Sequence, residues 1–453
     1  MGTFDGLQIG STGLSAQRRG VEVAGQNIAN VNTEGYTRQR VDITADSGPI
    51  TPAIHSTWSA SGLGVRSVEV VRLRDAFVDQ RMREEAAGGA ELATLAGAYA
   101  TIERIFDEPS DTGLSAVLGD FLAAWDDVAN QPGDIGARTQ VVERGVTLAN
   151  DIGELAAALG SLRDATRTEL EATIAQVNAD AAQVAALQET IMAARAAGTN
   201  AGELLDQRDL LLERITTAVG GTVRYEDDGT ATLYLGGTAL VRGDRAAALV
   251  VQTAADGDAT VAWSLDGRPV STLGGEASGL VQVVNDVLPQ YIADVEALGR
   301  TVRDQVNAVH TTGYDLAGGA GVPFFLGDGA AITVNPLLRA DPRLLAASGL
   351  PGGNLDGSKA QELASQLGID STYRELVVGL GVRSQAAQRR SALQDGIVAQ
   401  VRAEQEGASG VNLDEELSDL VRFQRAYEAS ARFITAVDQL LDTLINGTGR
   451  VGR

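Results

Sequence analysis

The 453-residue chain contains no cysteine and a single lysine, Lys359; every other cationic side chain at neutral pH is an arginine. Without cysteine, disulfides, thiolate metal sites and thiol catalysis are excluded. Aromatic residues make up only 4% of the chain, against 53 glycines. Cores must therefore rest on Ala, Leu and Val, which favours long helices in close contact over a compact enzyme pocket. Histidine is scarce too: His55 and His310 stand far apart, with no second imidazole or carboxylate at metal-ligand spacing. Hydrogen-bonded or exposed rings are expected, and no metal or cofactor. No stretch approaches the ~20 apolar residues of a membrane span. The first ten residues lack a basic region followed by an apolar run, so no cleaved secretory leader is expected.

Positive charge is in short supply as well. The 36 basic groups face 60 acidic ones, for a net charge of −24. That balance repels phosphate backbones and acidic lipid surfaces, so neither nucleic acid nor membrane is expected as a partner. Catalytic apparatus is missing. Asp126-Asp127 and Asp227-Asp228 are adjacent pairs, suited to a solvated helix face and to a turn. Gly357-Ser358-Lys359 reverses the lysine–hydroxyl order of a phosphate loop, and Gly318-Gly319-Ala320-Gly321 does not fit a dinucleotide fingerprint. The expectation is a protein that is not an enzyme.

What the chain does have is an apolar stripe at each end. Leu7, Leu14, Val21 and Ile28 recur at strict sevens, with Ala24 and Val31 on companion positions. At the far end, Leu413, Leu417, Leu420, Tyr427, Ala431, Ile434, Val437, Leu441 and Leu444 follow the three-four spacing of a helix-packing seam. Each stripe is too narrow to be a core by itself. Its partner should be the other end of the same chain, or of a copy of it. Both ends are expected to dock loosely in a free monomer and to order on assembly.

Between the ends, helices are predicted over 6–29, 76–105, 137–197, 372–404 and 412–446, with extended chain over 37–75. The segment from Leu114 through Leu118, Phe121, Trp125 and Val128 marks a buried helix face. Gly153 and Gly160 could interrupt the long 137–197 helix. Residues 220–272 change period: short strands at Val223-Arg224-Tyr225, Thr232 to Leu235, Leu249-Val250-Val251 and Val261 to Leu265 are separated by Asp-Gly and Gly-Gly turns. Helix resumes from Leu280 to Val309, and 313–358 reads as irregular. Asn412 and Glu415 form a capping-box signature at the start of the last helix.

The run Asn27-Ile28-Ala29-Asn30-Val31-Asn32-Thr33-Glu34-Gly35-Tyr36-Thr37-Arg38 resembles the N-terminal signature of the bacterial flagellar axial family of rod, hook and hook-associated proteins. Gly410-Val411-Asn412-Leu413-Asp414-Glu415-Glu416-Leu417 and Gln424-Arg425-Ala426-Tyr427-Glu428-Ala429 resemble its C-terminal partner. Four interior runs are similar to the hook-associated branch of the family. They are Glu108-Pro109-Ser110-Asp111-Thr112-Gly113-Leu114-Ser115, Ala124 to Pro132, Leu204-Leu205-Asp206-Gln207-Arg208-Asp209 and Val306-Asn307-Ala308-Val309-His310.

The resemblance implies a structural, secreted subunit joining flagellar hook to filament. Its implied partners are copies of itself, hook protein, hook-associated protein 3 and an export chaperone holding the C-terminal helix before type III export. The expected fold is mainly α with a β insertion: an elongated multi-helix bundle built from both chain ends, plus a small antiparallel β domain. The expected units are an axial helix and arm (1–60), a helical bundle (61–219), the β insertion (220–275), the returning bundle half (276–404) and a C-terminal axial helix (405–453). Asn27, Asn30, Gly35 and Tyr36 join the two stripes as the expected assembly interface. Another axial protein (hook, distal-rod or filament subunit) or a flagellum-associated wall hydrolase stands as the alternative.

Overall fold

A chain rich in Ala, Leu and Gly but poor in aromatic wedges packs well as helices laid side by side. The computed structural model has that architecture and describes residues 3–46, 62, 64–226, 228–352, 355–365 and 368–447. His55 and Asp227 lie outside the described residues. Helix α1 (Thr3–Ala29) leads into an antiparallel arm of β1 (Gln39–Ala45) and β2 (Val65–Arg72), with Gln39 opposite Arg72 and Ala45 opposite Val65. Helices α2 (Ala76–Phe106), α3 (Leu114–Asn130), α4 (Ile135–Ala196) and α5 (Gly202–Val219) follow. Strands β3 (Thr222–Tyr225), β4 (Ala231–Leu235), β5 (Thr238–Arg242) and β6 (Arg245–Ala246) make an antiparallel meander, and β7 (Leu249–Thr253) and β8 (Ala259–Trp263) a hairpin.

The chain returns through α6 (Gly275–Gln282), a π-helical turn and α7 (Leu288–His310). A loop-rich stretch holds β9 (Phe325–Leu326), β10 (Thr333–Val334), α8 (Pro336–Ala340) and α9 (Ser358–Ser365). Two long helices, α10 (Ile369–Ser409) and α11 (Leu413–Asp442), the latter running into a π-helical turn (Thr443–Gly447), complete the described structure. The fold is mainly α with a β insertion, as expected. Strand β5 was not expected, because its apolar content is only three residues long, between a Gly-Gly turn and an arginine.

Helix α4 is the spine. Its 62 residues run unbroken through Gly153 and Gly160, about 93 Å at 1.5 Å per residue. A glycine inside a helix costs up to about 1 kcal/mol. Each fully buried aliphatic side chain returns ~1.5–3 kcal/mol, and Leu148, Ile152 and Leu159 around the two glycines are buried. The first half of α4 packs with Phe121, Trp125, Tyr291, Phe324 and Phe325 in one core. Its second half, from Leu170 to Leu187, packs with α5 and with Leu233, Val241, Val261 and Trp263 of the strands. The strands thus share a core with α4 and α5. Helix α10 lies antiparallel on α2, with Gln405 bound to Asp79, Gln394 to Glu85, and Phe106 stacked on Tyr373 at 6.4 Å.

Candidate assembly interface

The two ends of the chain meet. Helices α1 and α11 run antiparallel, so that Gly6 faces Val437, Gly10 faces Ile434, Gly13 faces Ser430 and Gly20 faces Phe423. A Cβ on Gly10 would stand 2.5 Å from the Ile434 side chain, and one on Gly20 2.5–2.7 Å from the Phe423 ring. The contact line on α1 is therefore a glycine stripe. Leu7, Leu14, Val21 and Ile28 each sit one residue further along and are half-buried beside it. On α11, Leu420, Ile434 and Val437 are half-buried and Leu441 is buried, while Leu413, Leu417 and Tyr427 are exposed, as is Leu444 just beyond the helix. The missed signal was in plain view: Gly6, Gly13, Gly20 and Asn27 also recur at sevens.

Where α1 ends, the family signature becomes a polar knot. Asn27 is 1% exposed. Its amide nitrogen donates to the Gln39 carbonyl and to Glu416, both at 2.9 Å. Its oxygen accepts from the Gln39 N–H at 3.0 Å and the Tyr36 hydroxyl at 2.9 Å. Arg38 closes the knot from the arm, with Nε 2.7 Å from Glu416 and a terminal nitrogen 2.7 Å from Glu415. Asn412 caps α11, accepting from the N–H groups of Asp414 and Glu415. The reciprocal half of the expected capping box gives way to a stronger partner, since the Glu415 carboxylate is taken by Arg38. Burial, with Asp206 and Glu416 nearby, pushes the Tyr36 hydroxyl up to about 12, so it remains a donor.

Asn30 and Gly35 shape the turn. Asn30 donates to the Gln26 carbonyl and accepts from the Thr33 hydroxyl. Gly35 holds φ at +76°, the left-handed region that glycine enters freely. Its would-be Cβ lies against Leu210 of α5.

A second knot, unforeseen from sequence, ties the arm to the body through the Asp206–Asp209 run. Arg72 reaches Asp206 at 2.5 Å and Asp209 at 2.9 Å, and Arg74 reaches Asp79 at 2.6 Å and also Asp209. Arg208 pairs with Asp209 at 2.8 Å, and the Tyr225 hydroxyl donates to Asp209 at 3.2 Å. Burial alone would raise the Asp209 carboxyl; Arg208, Arg74 and Arg72 together hold it below the usual carboxylate range. Asp206 goes the other way, because its burial outweighs Arg72. Residues of the arm, of the turn before α2, of α5 and of β3 thus converge on one carboxylate.

The remaining chemical candidates have structural places. His310 is fully buried, with Nδ1 2.5 Å from the Val322 carbonyl and Nε2 accepting from the Ala346 N–H at 2.9 Å. Asp126 and Asp127 are exposed on α3. Glu108 accepts from the Ser115 N–H at 2.8 Å and holds the start of α3. Among the described residues no cluster of three His, Cys, Asp or Glu side chains could hold a metal ion, and no helix is long and apolar enough to cross a membrane.

Paired terminal helices, locked by this signature to a helical body, define the class of flagellar axial proteins. Accordingly, the family model for the flagella basal body rod protein matches residues 7–37, and that for the flagellar basal body rod FlgEFG protein C-terminal region matches 407–447. The model for the flagellar hook-associated protein FlgK helical domain matches residues 99–325, half of the chain, and the chain belongs to that family. Flagellar hook-associated protein 1 of Bacillus subtilis (strain 168) is 28% identical over 505 residues, covering 100% of this chain and 99% of the relative. Its Escherichia coli (strain K12) counterpart is 24% identical, covering 96% and 98%. Among solved structures, the flagellar hook junction protein FlgK from Burkholderia pseudomallei shares the fold, with a TM-score of 0.61, 16% identity, and coverage of 72% of this chain and 99% of that one.

Proposed function

We propose that the chain is a structural subunit of the flagellar hook–filament junction, working by self-assembly through α1 and α11 and not by turnover. The observation that carries this reading is the division of α11 into two apolar faces. One face is satisfied by α1. Elsewhere Leu413, Leu417 and Val421 near its start and Leu440 near its end are exposed, with Leu444 on the π-helical turn just beyond. A helix apolar on both sides, tethered by a buried polar knot, is suited to meet neighbours on its free side. The half-buried Leu7, Leu14, Val21 and Ile28 flank the same stalk.

On this reading the neighbours are copies of the chain, hook protein on one side and hook-associated protein 3 on the other. The free face of α11 is also where an export chaperone would bind before type III secretion. A chain without cysteine crosses an export channel free of disulfide constraints. The test is to add purified protein to isolated hooks and image them. Capped hooks are expected; a protein that ignores hooks and grows long filaments alone would be a filament subunit instead.

A further inference from the structure

Helix α10 has a second apolar face that nothing among the described residues covers. Its inner edge, with Ser384, Ser391 and Val401 buried, lies on α2. On the opposite edge Val378, Val382 and Leu393 are 58%, 63% and 71% exposed, and Ile397 continues the line. These four sit on one stripe, four residues apart within each pair. From Leu376 to Gln394 the helix carries Arg383, Arg389 and Arg390 and no acidic residue, within a chain of net charge −24. Arg383 lies over the Tyr291 ring of α7, whereas Arg389 and Arg390 are exposed and in no ion pair among the described residues.

The complementary surface is on α3. Between Arg104 and Arg138 there is no basic residue. The outer face of α3 exposes Gly119, Asp120, Ala123, Asp126, Asp127 and Asn130. Gly119 has open space where a Cβ would stand, so a neighbouring helix can approach closely. Asp120 pairs with Arg144 at 2.9 Å, which leaves Asp126 and Asp127 as the outward charges. The charges match in pairs: Asp126 and Asp127 are exposed side by side on α3, as Arg389 and Arg390 are on α10. Laid parallel, the two helices bring Arg389 and Arg390 beside Asp126 and Asp127. The same register sets Val382 on Gly119, Ala386 on Ala123 and Leu393 on Asn130.

We propose that the outer face of α10 docks onto α3 of a second copy of this chain, a lateral contact that rests on the junction reading above. The two surfaces are different patches of one molecule, so the contact is head-to-tail and propagates into a ring or helical row. The aliphatic side chains of α10 fill the small-residue groove of α3, and the flanking charges set register and partner choice.

The absence of native cysteine makes the test direct. Leu393→Cys chains are mixed with Asn130→Cys chains and treated with a short bismaleimide, both in concentrated solution and on isolated hooks. A mixed adduct is expected, and neither variant alone should form it. Arg389→Asp/Arg390→Asp in the Leu393→Cys chain should lower its yield about tenfold or more. Adding Asp126→Arg/Asp127→Arg to the Asn130→Cys chain should restore it. All these positions are exposed, and thermal melts identify any variant that fails to fold. No mixed adduct under either condition, or reversal without rescue, overturns the contact. Reversed chains that cross-link and cap hooks normally but lose a different flagellar protein would give the α10 face to that protein instead. Wild-type protein that cross-links but never caps a hook would sink the junction reading alone.

Discussion

One buried amide, that of Asn27, uses both of its hydrogens and two acceptor directions to hold the end of α1, the start of the arm and the start of α11. Among neutral side chains only Asn and the longer Gln offer two donors and a two-lone-pair acceptor. His310 works the same way in the body, and it makes stability depend on pH. An amide N–H can only donate, so Nε2 is the acceptor from Ala346 and Nδ1 carries the proton toward Val322. Burial pushes the ring down to about 4, aided by Arg138 and opposed by the Val322 bond. An unfolded histidine binds its proton near 6.5. The unfolded state therefore takes up a proton first on acidification. The ring's contribution is complete above about pH 6.5 and is lost as the pH falls toward 4, at up to about 1.4 kcal/mol per pH unit. His310→Gln should cost about 1–3 kcal/mol at pH 7 through its orphaned partners. That deficit should shrink on acidification, because carboxylate titrations are common to both proteins and cancel in the difference. Urea unfolding of both at pH 7 and pH 4.5 measures it. A deficit that is the same at both pH values would mean the buried ring does not titrate as described.

At the scale of the element, the α1–α11 pair rests on what its glycines leave out. Gly20→Ala gains about 1 kcal/mol of helix propensity but drives a methyl into the Phe423 ring. Overpacking of that kind costs about 1–3 kcal/mol. Gly25, on the same helix, has nothing within 4 Å of the same methyl. Gly25→Ala should therefore raise hydrogen-exchange protection of α1, and Gly20→Ala should lower it. Equal gains at both positions would show that the helices stand further apart. These glycines also show how legibility divided. Long helices were readable because apolar periodicity over 17 to 62 residues leaves little choice of period. The glycine seam was not, since large aliphatic residues draw attention to Leu7, Leu14, Val21 and Ile28, whereas close packing is set by the smallest side chains. The Asp209 knot was hidden for another reason. Arg72, Arg74, Asp206 and Tyr225 lie up to about 150 residues apart, and no local pattern encodes that convergence. The Asn27 and Glu416 motifs were visible from their resemblance to the axial family, but the bond between them was not.

At the scale of the molecule, adjacent residues of α11 face opposite fates. Leu441 is 9% exposed against α1, whereas Leu440 and Leu444 are 66% and 56% exposed. If the outer face serves neighbours, charge placed there should spare the single chain and stop the assembly. Leu440→Asp/Leu444→Asp should leave thermal melting and the hydrogen-exchange protection of α1 and α11 unchanged, because the new carboxylates stay in water. The same protein should no longer cap isolated hooks, since two charges would be buried without partners at each contact. Leu441→Asp should act one step earlier. It puts a carboxylate into the α1 seam at a cost of several kcal/mol, so protection falls across both terminal helices while the body, whose cores lie elsewhere, melts as before. Electron microscopy of hooks with each protein, set beside exchange data, separates the cases. A double variant that caps hooks as wild type does would make the outer face of α11 ordinary solvated surface. A Leu441→Asp chain whose terminal helices stay protected would show that α1 is not what holds α11.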